Sequence, residues 1–343
     1  MSAASSAPTR HLARVRVEDS RVIRQVVGLR PFRKTGFRVA AESFGDKTIV
    51  HNYGHGGGGM SLSWGSADLA AKLALATPHR EAAVIGSGAL GLSTARLLQD
   101  RGMSVTIYTR DLPPNTTSNI AGAQWTPSTV ADDDLRSTAF NAQFVEASHF
   151  AHRYFQNLVG AHYGISWREN FYLSVQAQQQ ISWEQQLLPD LLRRVPVPDD
   201  EHPFKGYHVT HYISMHIEPA AYLSAVLADF RLAGGHVVIR EFPDARSMQS
   251  LAAPLIINCT GLAAGALFND PDVLPIKGQL VVIAPQPEVD YITIGPGGLY
   301  MMPRMDGIVL GGTFERGVST MEPNPVETER ILRGSRELFA GMT

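Results

Sequence analysis

Apolar runs and helical-period stretches alternate along this chain, and each change marks an element. Residues 47–53, KTIVHNY, read as a short buried strand. The next stretch, HNYGHGGGG (His51 to Gly59), is almost all glycine and histidine. SLSWGSADLAAKLALA then sets Leu62, Leu69, Leu73 and Ala76 at helical spacing. Ser61 or Ser63 is the expected cap and Pro78 the stop. EAAVIGSGALGLSTARLLQDRGMSVTIYTRD passes from strand to glycine turn, helix and second strand. Helices are predicted over 140–160 and 183–195. A strand, a helix from Glu218 to Leu232 and the strand HVVIREF are predicted within 206–243. APLIINCTG reads as a buried strand ending in a glycine turn. GQLVVIAP, LYMMPR and GIVLGGTF read as strands of a separate, antiparallel sheet, and 325–341 as a closing helix.

Composition narrows the class. The 343 residues are 44% hydrophobic and 18% charged, with a net charge of −2. That leaves room for two lobes and argues against a general binder of nucleic acid, which needs a basic excess. Cys259 is the only cysteine, so no intramolecular disulfide can form. No apolar run approaches the ~18 residues of a membrane span. Residues 1–20 lack the apolar stretch of a secretory signal and are expected to be a flexible tail. The closing AGMT is not a peroxisomal address, so the expected location is cytoplasmic.

Gly86-Ser87-Gly88-Ala89-Leu90-Gly91 is a GxGxxG between a predicted strand and a predicted helix. Gly86 permits the tight turn, Gly88 lets backbone approach a pyrophosphate, and Gly91 lets helix and strand pack closely. The helix start offers N–H groups and a positive dipole end to phosphate. The slot that usually holds a ribose-binding acid carries Thr109, displacing the acid to Asp111, while Arg110 could accept a 2′-phosphate. The motif alone leaves NAD(P) and FAD open.

The stretch His51–Gly59 decides between them. His51 and His55 have metal-pair spacing only on a helix. Four glycines after His55 oppose one, at about 1 kcal/mol each. No further ligand completes a metal set, so none is expected. What remains is a second glycine-lined helix start. Aimed at the pyrimidine edge of a flavin, it would stabilise the negative charge of the reduced ring. Two such starts point to FAD.

VVGLRPFRKTGFRVAAE with IVHNYGHGGGGMSLSWGSADLAAKL resembles the carboxy-terminal signature of the D-amino-acid oxidase family. AAVIGSGALGLSTARLL, YTRDLPPNTTSNIAGAQWTP, LIINCTGLAAGAL, KGQLVV and LYMMPRMDGIVLGGTFERG resemble its other blocks. Together they cover about residues 21–340. In that family the fingerprint opens the chain and HNYGHGG nearly closes it. Here the order is reversed, so the resemblance implies a circular permutation. The implied fold is α/β, with a Rossmann-like FAD-binding domain (37–130 and 206–275) and an antiparallel-sheet substrate domain (21–36, 131–205 and 276–343).

The resemblance also implies roles. Arg30 would grip the substrate carboxylate, as a planar guanidinium does bidentately. Tyr300 would add its hydroxyl, and the Gly57 carbonyl would accept from the substrate amine. FAD would lie along Gly56, Gly57, Gly59, Met60, Ser61, Gly86, Ser87, Gly88, Leu90, Gly91, Arg110 and Asp111. It would also meet Thr117, Ser118, Gly122, Ala123, Gln124, Phe242, Thr260 and Gly261. Asn52 and His55 would support the loop, and Arg33 and Arg38 would be ordinary structural charges. The implied reaction is oxidative deamination of a small D-amino acid, with hydride passing from Cα to flavin N5 and molecular oxygen as acceptor. A biosynthetic FAD amine oxidase acting on another small amino or imino acid, and an NAD(P)-dependent dehydrogenase, are the alternatives. A homodimer is compatible; membrane and nucleic-acid partners are not expected. Two departures touch the substrate side. Pro296 stands where the family has a second tyrosine in a short lid segment, and Gly58 replaces a bulkier residue, which would loosen the loop or enlarge the pocket.

Overall fold

The computed structural model describes residues 11–122, 124–177 and 181–343. From its N-terminal side come β1 (Val22–Arg33), β2 (Arg38–Phe44), β3 (Lys47–Tyr53) and helix α1 (Gly59–Leu75). β4 (Glu81–Ile85), α2 (Ala89–Asp100) and β5 (Ser104–Thr109) form the strand–helix–strand unit around the fingerprint. α3 (Thr138–Asn157), β6 (Ile165–Ser174), the short α4 (Trp183–Leu187), β7 (Val195–Val197) and β8 (His208–Ile217) follow. Next are α5 (Pro219–Leu232), β9 (His236–Ile239), β10 (Leu255–Asn258) and α6 (Ala263–Leu267). The last part holds β11 (Val273–Ile283), β12 (Ile292–Ile294), β13 (Tyr300–Arg304), β14 (Gly307–Gly311), β15 (Glu315–Arg316) and α7 (Pro325–Ala340).

Two sheets result. One has six strands in the order β2-β3-β10-β4-β5-β9, parallel from β3 through β9. The other has nine and is mostly antiparallel, running β1-β11-β14-β13-β12-β6-β8-β7 with β15 beside β11. β1 and β11 pair along nearly their whole length. The largest core cluster joins α1, α2, α3 and α5 to the parallel sheet through Leu62, Trp64, Leu92, Phe144, Tyr222 and Phe230. A second core lies under α7, around Phe171, Leu310, Ile331 and Phe339.

Several expectations need correction. Residues 11–20 are not a loose tail: Val15 and Val17 are buried in the second core, and Ala13 accepts from the Tyr291 hydroxyl at 2.7 Å. Alternating apolar residues in an arginine-rich stretch hid this. The helix expected over 183–195 stops at Leu187, just ahead of Pro189, which disfavours helix before it. Helix α1 begins inside the glycine run, with Gly58 as its cap residue in place of Ser61 or Ser63. The elements also divide differently from the expected segments. β8, expected in the nucleotide part, joins the nine-stranded sheet, and α3, expected in the substrate part, packs on α1.

Candidate functional site

Strands β3, β10 and β4 are parallel neighbours whose carboxyl ends lie level. Asn258 is in register with His51 on one side and Ile85 on the other. Three turns leave from these ends: the loop through Gly59, the turn at Thr260–Gly261, and Gly86–Gly91. The carboxyl edge of an open α/β sheet is where ligands bind.

Two glycines of the fingerprint turn, Gly86 and Gly91, cannot carry side chains. Gly86 has φ +109°, and a Cβ there would lie 2.5 Å from the Cys259 carbonyl oxygen. A Cβ on Gly91 would collide with the Gly86 carbonyl, so helix and strand meet backbone to backbone. Gly88 caps α2. The Ala89 N–H donates to Ser118 Oγ at 3.0 Å, tying the 117–120 turn across the helix start. Ser87 Oγ donates to the Asp111 carbonyl at 2.6 Å and lies 3.0 Å from Thr109 Oγ1, which fixes the two strand ends together. Thr109 thus serves as a structural clasp. Arg110 is exposed and pairs with Asp111 at 2.7 Å and Glu241 at 3.6 Å. Phe242 is buried, edge-on to Tyr108, with Arg240 4.7 Å from its ring centroid.

The second loop fits beside the first. Gly56–Gly58 form a single 3₁₀ turn, and Gly56 has φ +53°. The Gly57 N–H donates to the Thr129 carbonyl at 3.1 Å, and the residue itself is exposed. A Cβ on Gly59 would lie 3.6 Å from Leu90 Cδ2, so the two helix starts adjoin. Met60 is buried, and Ser61 Oγ donates to the Gln124 carbonyl at 3.1 Å and accepts from Thr126 N at 3.0 Å. The Gln124 side chain donates to Thr126 and to the Tyr212 hydroxyl. Gly58 does not enlarge a pocket. It is buried, and a Cβ on it would strike Val130, so the missing side chain makes room for the 127–130 segment. His55 stacks on Phe37 with centroids 4.4 Å apart and has no hydrogen-bond partner on either ring nitrogen. Burial depresses its pKa to about 3, so the ring is neutral. Among the described residues no cluster of metal ligands occurs.

β1 carries the third component. Arg30 donates to the Thr313 carbonyl at 3.3 Å, and its guanidinium lies over Gly278, where a Cβ would collide with it. The Tyr300 phenol lies beside the Arg30 guanidinium; burial pushes the phenol pKa up and the guanidinium draws it down. The Tyr300 ring packs against Gly311 and Gly312, which must lack side chains to admit it. Arg30 has no carboxylate partner among the described residues. Arg33, three positions on, is held by Asp270 at 2.8 Å and Asp272 at 3.4 Å, and Arg38 by Glu42 at 2.7 Å. The glycine loop, the Thr260–Gly261 turn and the 117–120 turn reach this strand. Phe32 bridges to His55, a Cβ on Gly261 would lie 3.9 Å from Pro31 Cγ, and Gly28 faces Ile120. A Cβ on Gly122 would lie 2.9 Å from Met302 Sδ and 3.6 Å from Tyr300 Cε2.

Of the expected site residues, Ala123 lies outside the described residues, and Thr117 is exposed on its turn. Within 284–298, the expected lid, residues 286 and 291 are anchored on residues 13–16: Gln286 accepts from Arg16 N at 2.8 Å, and Tyr291 donates to Ala13. Around Pro296 the chain makes a tight turn, with the Gly297 carbonyl accepting from Arg330 at 3.0 Å. Sequence reasoning missed Thr129 and Thr313, which act through backbone carbonyls that sequence cannot mark. It also missed Asn258, whose signal was visible as a lone amide ending the apolar run LIIN.

The FAD dependent oxidoreductase family matches residues 81–343, and the chain belongs to it. A D-amino-acid oxidase of Rubrobacter xylanophilus is 31% identical over 257 residues, 74% of this chain and 75% of the relative. A D-amino acid oxidase of Dugesia ryukyuensis is 29% identical over 277 residues, covering 76% and 78%. Among solved structures, glycine oxidase from Bacillus cereus superposes with a TM-score of 0.58 at 15% identity, covering 75% of this chain and 77% of that one. L-alpha-glycerophosphate oxidase from Mycoplasma pneumoniae, with FAD bound, gives 0.57 at 14% identity, covering 78% and 80%. The protein is therefore an FAD-dependent oxidoreductase. The glycine turn at Gly86–Gly91, with Gly88 at the start of α2, fits the diphosphate of that cofactor.

Proposed function

We propose that the protein oxidises small D-amino acids at the junction of β1, the 56–59 loop and the Gly122 segment. The observation that carries this reading is Arg30: a partly buried guanidinium with a phenol and a carbonyl for neighbours and no carboxylate among the described residues. An unpaired buried cation is costly, so such a site awaits an anion. A planar guanidinium with an adjacent hydroxyl suits a carboxylate. The relatives named D-amino-acid oxidase support the substrate class.

In this reading Arg30 and Tyr300 bind the substrate carboxylate and fix its plane. The exposed Gly57 carbonyl accepts from the substrate amine and so sets which face of Cα turns inward. Gly86, Ser87, Gly88, Leu90, Gly91, Thr117, Ser118, Thr260 and Gly261 hold the cofactor diphosphate, and Arg110, Asp111 and Phe242 line its adenosine end. Gly56, Gly59, Met60, Ser61, Gly122 and Gln124 would line the ring. FAD, when bound, supplies the two-electron acceptor, and molecular oxygen is the final one. His55 is buried under Phe37 and neutral, so it is not the base. The amine enters neutral, and orientation supplies much of the rate.

Replacing Arg30 with alanine tests the reading. The expected result is a loss of kcat/KM for D-alanine on the order of a hundredfold or more, in peroxide release, with FAD still bound. Unchanged turnover and KM would overturn it. The same assay on a panel of D- and L-amino acids, glycine included, reads the chirality and range.

We also propose that the chain order is a circular permutation of the family's. In support, the family match begins at Glu81, while residues 22–75 supply β1, β3 and α1. The fingerprint unit needs those elements for its neighbours.

A further inference from the structure

The buried histidine at the start of the glycine loop is not used by the reaction, yet it is wired to a cofactor turn. His51 and Asn258 are both fully buried and sit side by side on β3 and β10. Asn258 Oδ1 accepts twice from Thr260, from the backbone N–H at 3.2 Å and from Oγ1 at 2.7 Å. A backbone N–H can only donate, so the amide oxygen must face Thr260. The amide NH₂ therefore faces His51 Nδ1, 3.0 Å away, and that nitrogen must accept. The proton is left on Nε2, which donates to Glu42 at 2.9 Å. One tautomer of one neutral ring thus dictates the amide orientation, and the amide dictates the Thr260–Gly261 turn.

We propose that His51 is the positioning residue of this turn, and that protonating it releases FAD. A proton on Nδ1 would face the Asn258 NH₂, donor against donor. The amide must then rotate, which sets NH₂ against the Thr260 N–H and breaks the backbone bond holding the turn. The groups facing His51 favour the neutral ring on balance. Burial lowers its pKa most; Glu42 opposes that by hydrogen bond, Arg38 adds to it and Asp270 opposes it. Tyr53 and Phe268 meet the ring edge-on at 5.5 and 4.8 Å and bring no charge to it. Because binding selects the neutral ring, FAD affinity is full while the ring is neutral and falls as pH drops below the ring's own pKa, which burial holds under the ordinary histidine value.

The inference rests on the reading that Thr260–Gly261 contacts FAD, and the test separates the two. FAD dissociation constants of the apoprotein are measured by flavin fluorescence from about pH 8 down to the lowest pH at which far-UV circular dichroism shows it folded. The wild type is expected to weaken by up to roughly tenfold for each pH unit below the ring's pKa in the apoprotein. His51→Gln keeps an acceptor for Asn258 and a donor for Glu42 but cannot titrate. Its affinity is expected within about threefold of wild type near pH 8 and flat below. Asn258→Asp keeps both Thr260 bonds and accepts from a protonated ring, so it too is expected to lose the acid weakening. A wild type with no pH dependence overturns the proposal, as does either folded variant sharing the wild-type slope. One FAD per chain near pH 8 keeps the cofactor reading whichever slope is found; no flavin binding there would sink that reading instead.

Discussion

At the scale of single residues, polar groups that cannot reach water divide into those that wait for a ligand and those that only need neutrality. On the proposed reading Tyr300 is of the first kind. Its phenol touches Arg30, and a carboxylate bound there would take a hydrogen bond from it. Tyr300→Phe should lower kcat/KM for D-alanine about tenfold, mostly through KM, since a hydrogen bond to a charged group contributes roughly 1.5–3 kcal/mol. An unchanged KM in peroxide assays would remove Tyr300 from the substrate site. His55 and His216 are of the second kind. Burial lowers their pKa values to about 3 and about 4, from 6.5. The folded state thus binds fewer protons than the unfolded chain below pH 6.5. Their stability is present above that pH and is lost as pH falls toward the folded values. At about pH 5 the loss is roughly 2 kcal/mol for each. Thermal melts should show Tm lower by several degrees at about pH 5 than at about pH 7.5. His55→Phe, which keeps the stack on Phe37, should reduce that drop.

At the scale of elements, glycine records where backbones touch, and this can be tested apart from chemistry. Helices α1 and α3 cross at Gly65, where a Cβ would strike the Ala147 carbonyl. Gly65→Ala gains helix propensity of about 1 kcal/mol, yet it must push α3 away from a core lined by Phe144 and Phe155. Overpacking costs typically 1–3 kcal/mol, so a net loss of stability is expected in urea unfolding. A stabilised variant would mean the helices can separate freely. How legible an element was in the sequence follows the same logic. β4, α2, β5 and the 219–232 helix were readable because period and turn chemistry agreed. β1, β2 and β6 were not, because their faces are mixed: Arg24, Arg30 and Arg33 on β1, or Arg168, Glu169 and Asn170 on β6, break the alternation that marks a strand. Arg30 and the glycine loop were found through their sequence motifs, whereas the bonds of Ser61, Thr129 and Thr313 depend on carbonyls brought together only by folding.

At the scale of the whole molecule, the proposed permutation turns on where the chain's two outer segments lie. Arg14 donates to the Met342 carbonyl, and Tyr291 touches both Ala13 and the Met342 sulfur, at 2.7 and 3.8 Å. Residues 13–14 and 342 are thus neighbours in one core, and a short linker can join 343 to 11 without strain. The junction at 76–80, between α1 and β4, is a surface turn with exposed positions, where a chain can be opened at little cost. A protein running from Glu81 to Thr343, through a few glycines and serines, and on from 11 to 77 should fold. It should bind FAD with an affinity within about tenfold of the present order, since loop-closure entropy changes only slowly with length. It should also keep D-amino acid turnover, because Arg30, Gly57 and the fingerprint come together by strand pairing and not by chain order. A soluble rearranged chain that fails to take up flavin would show that the order matters to the site itself, and the permutation reading would fall.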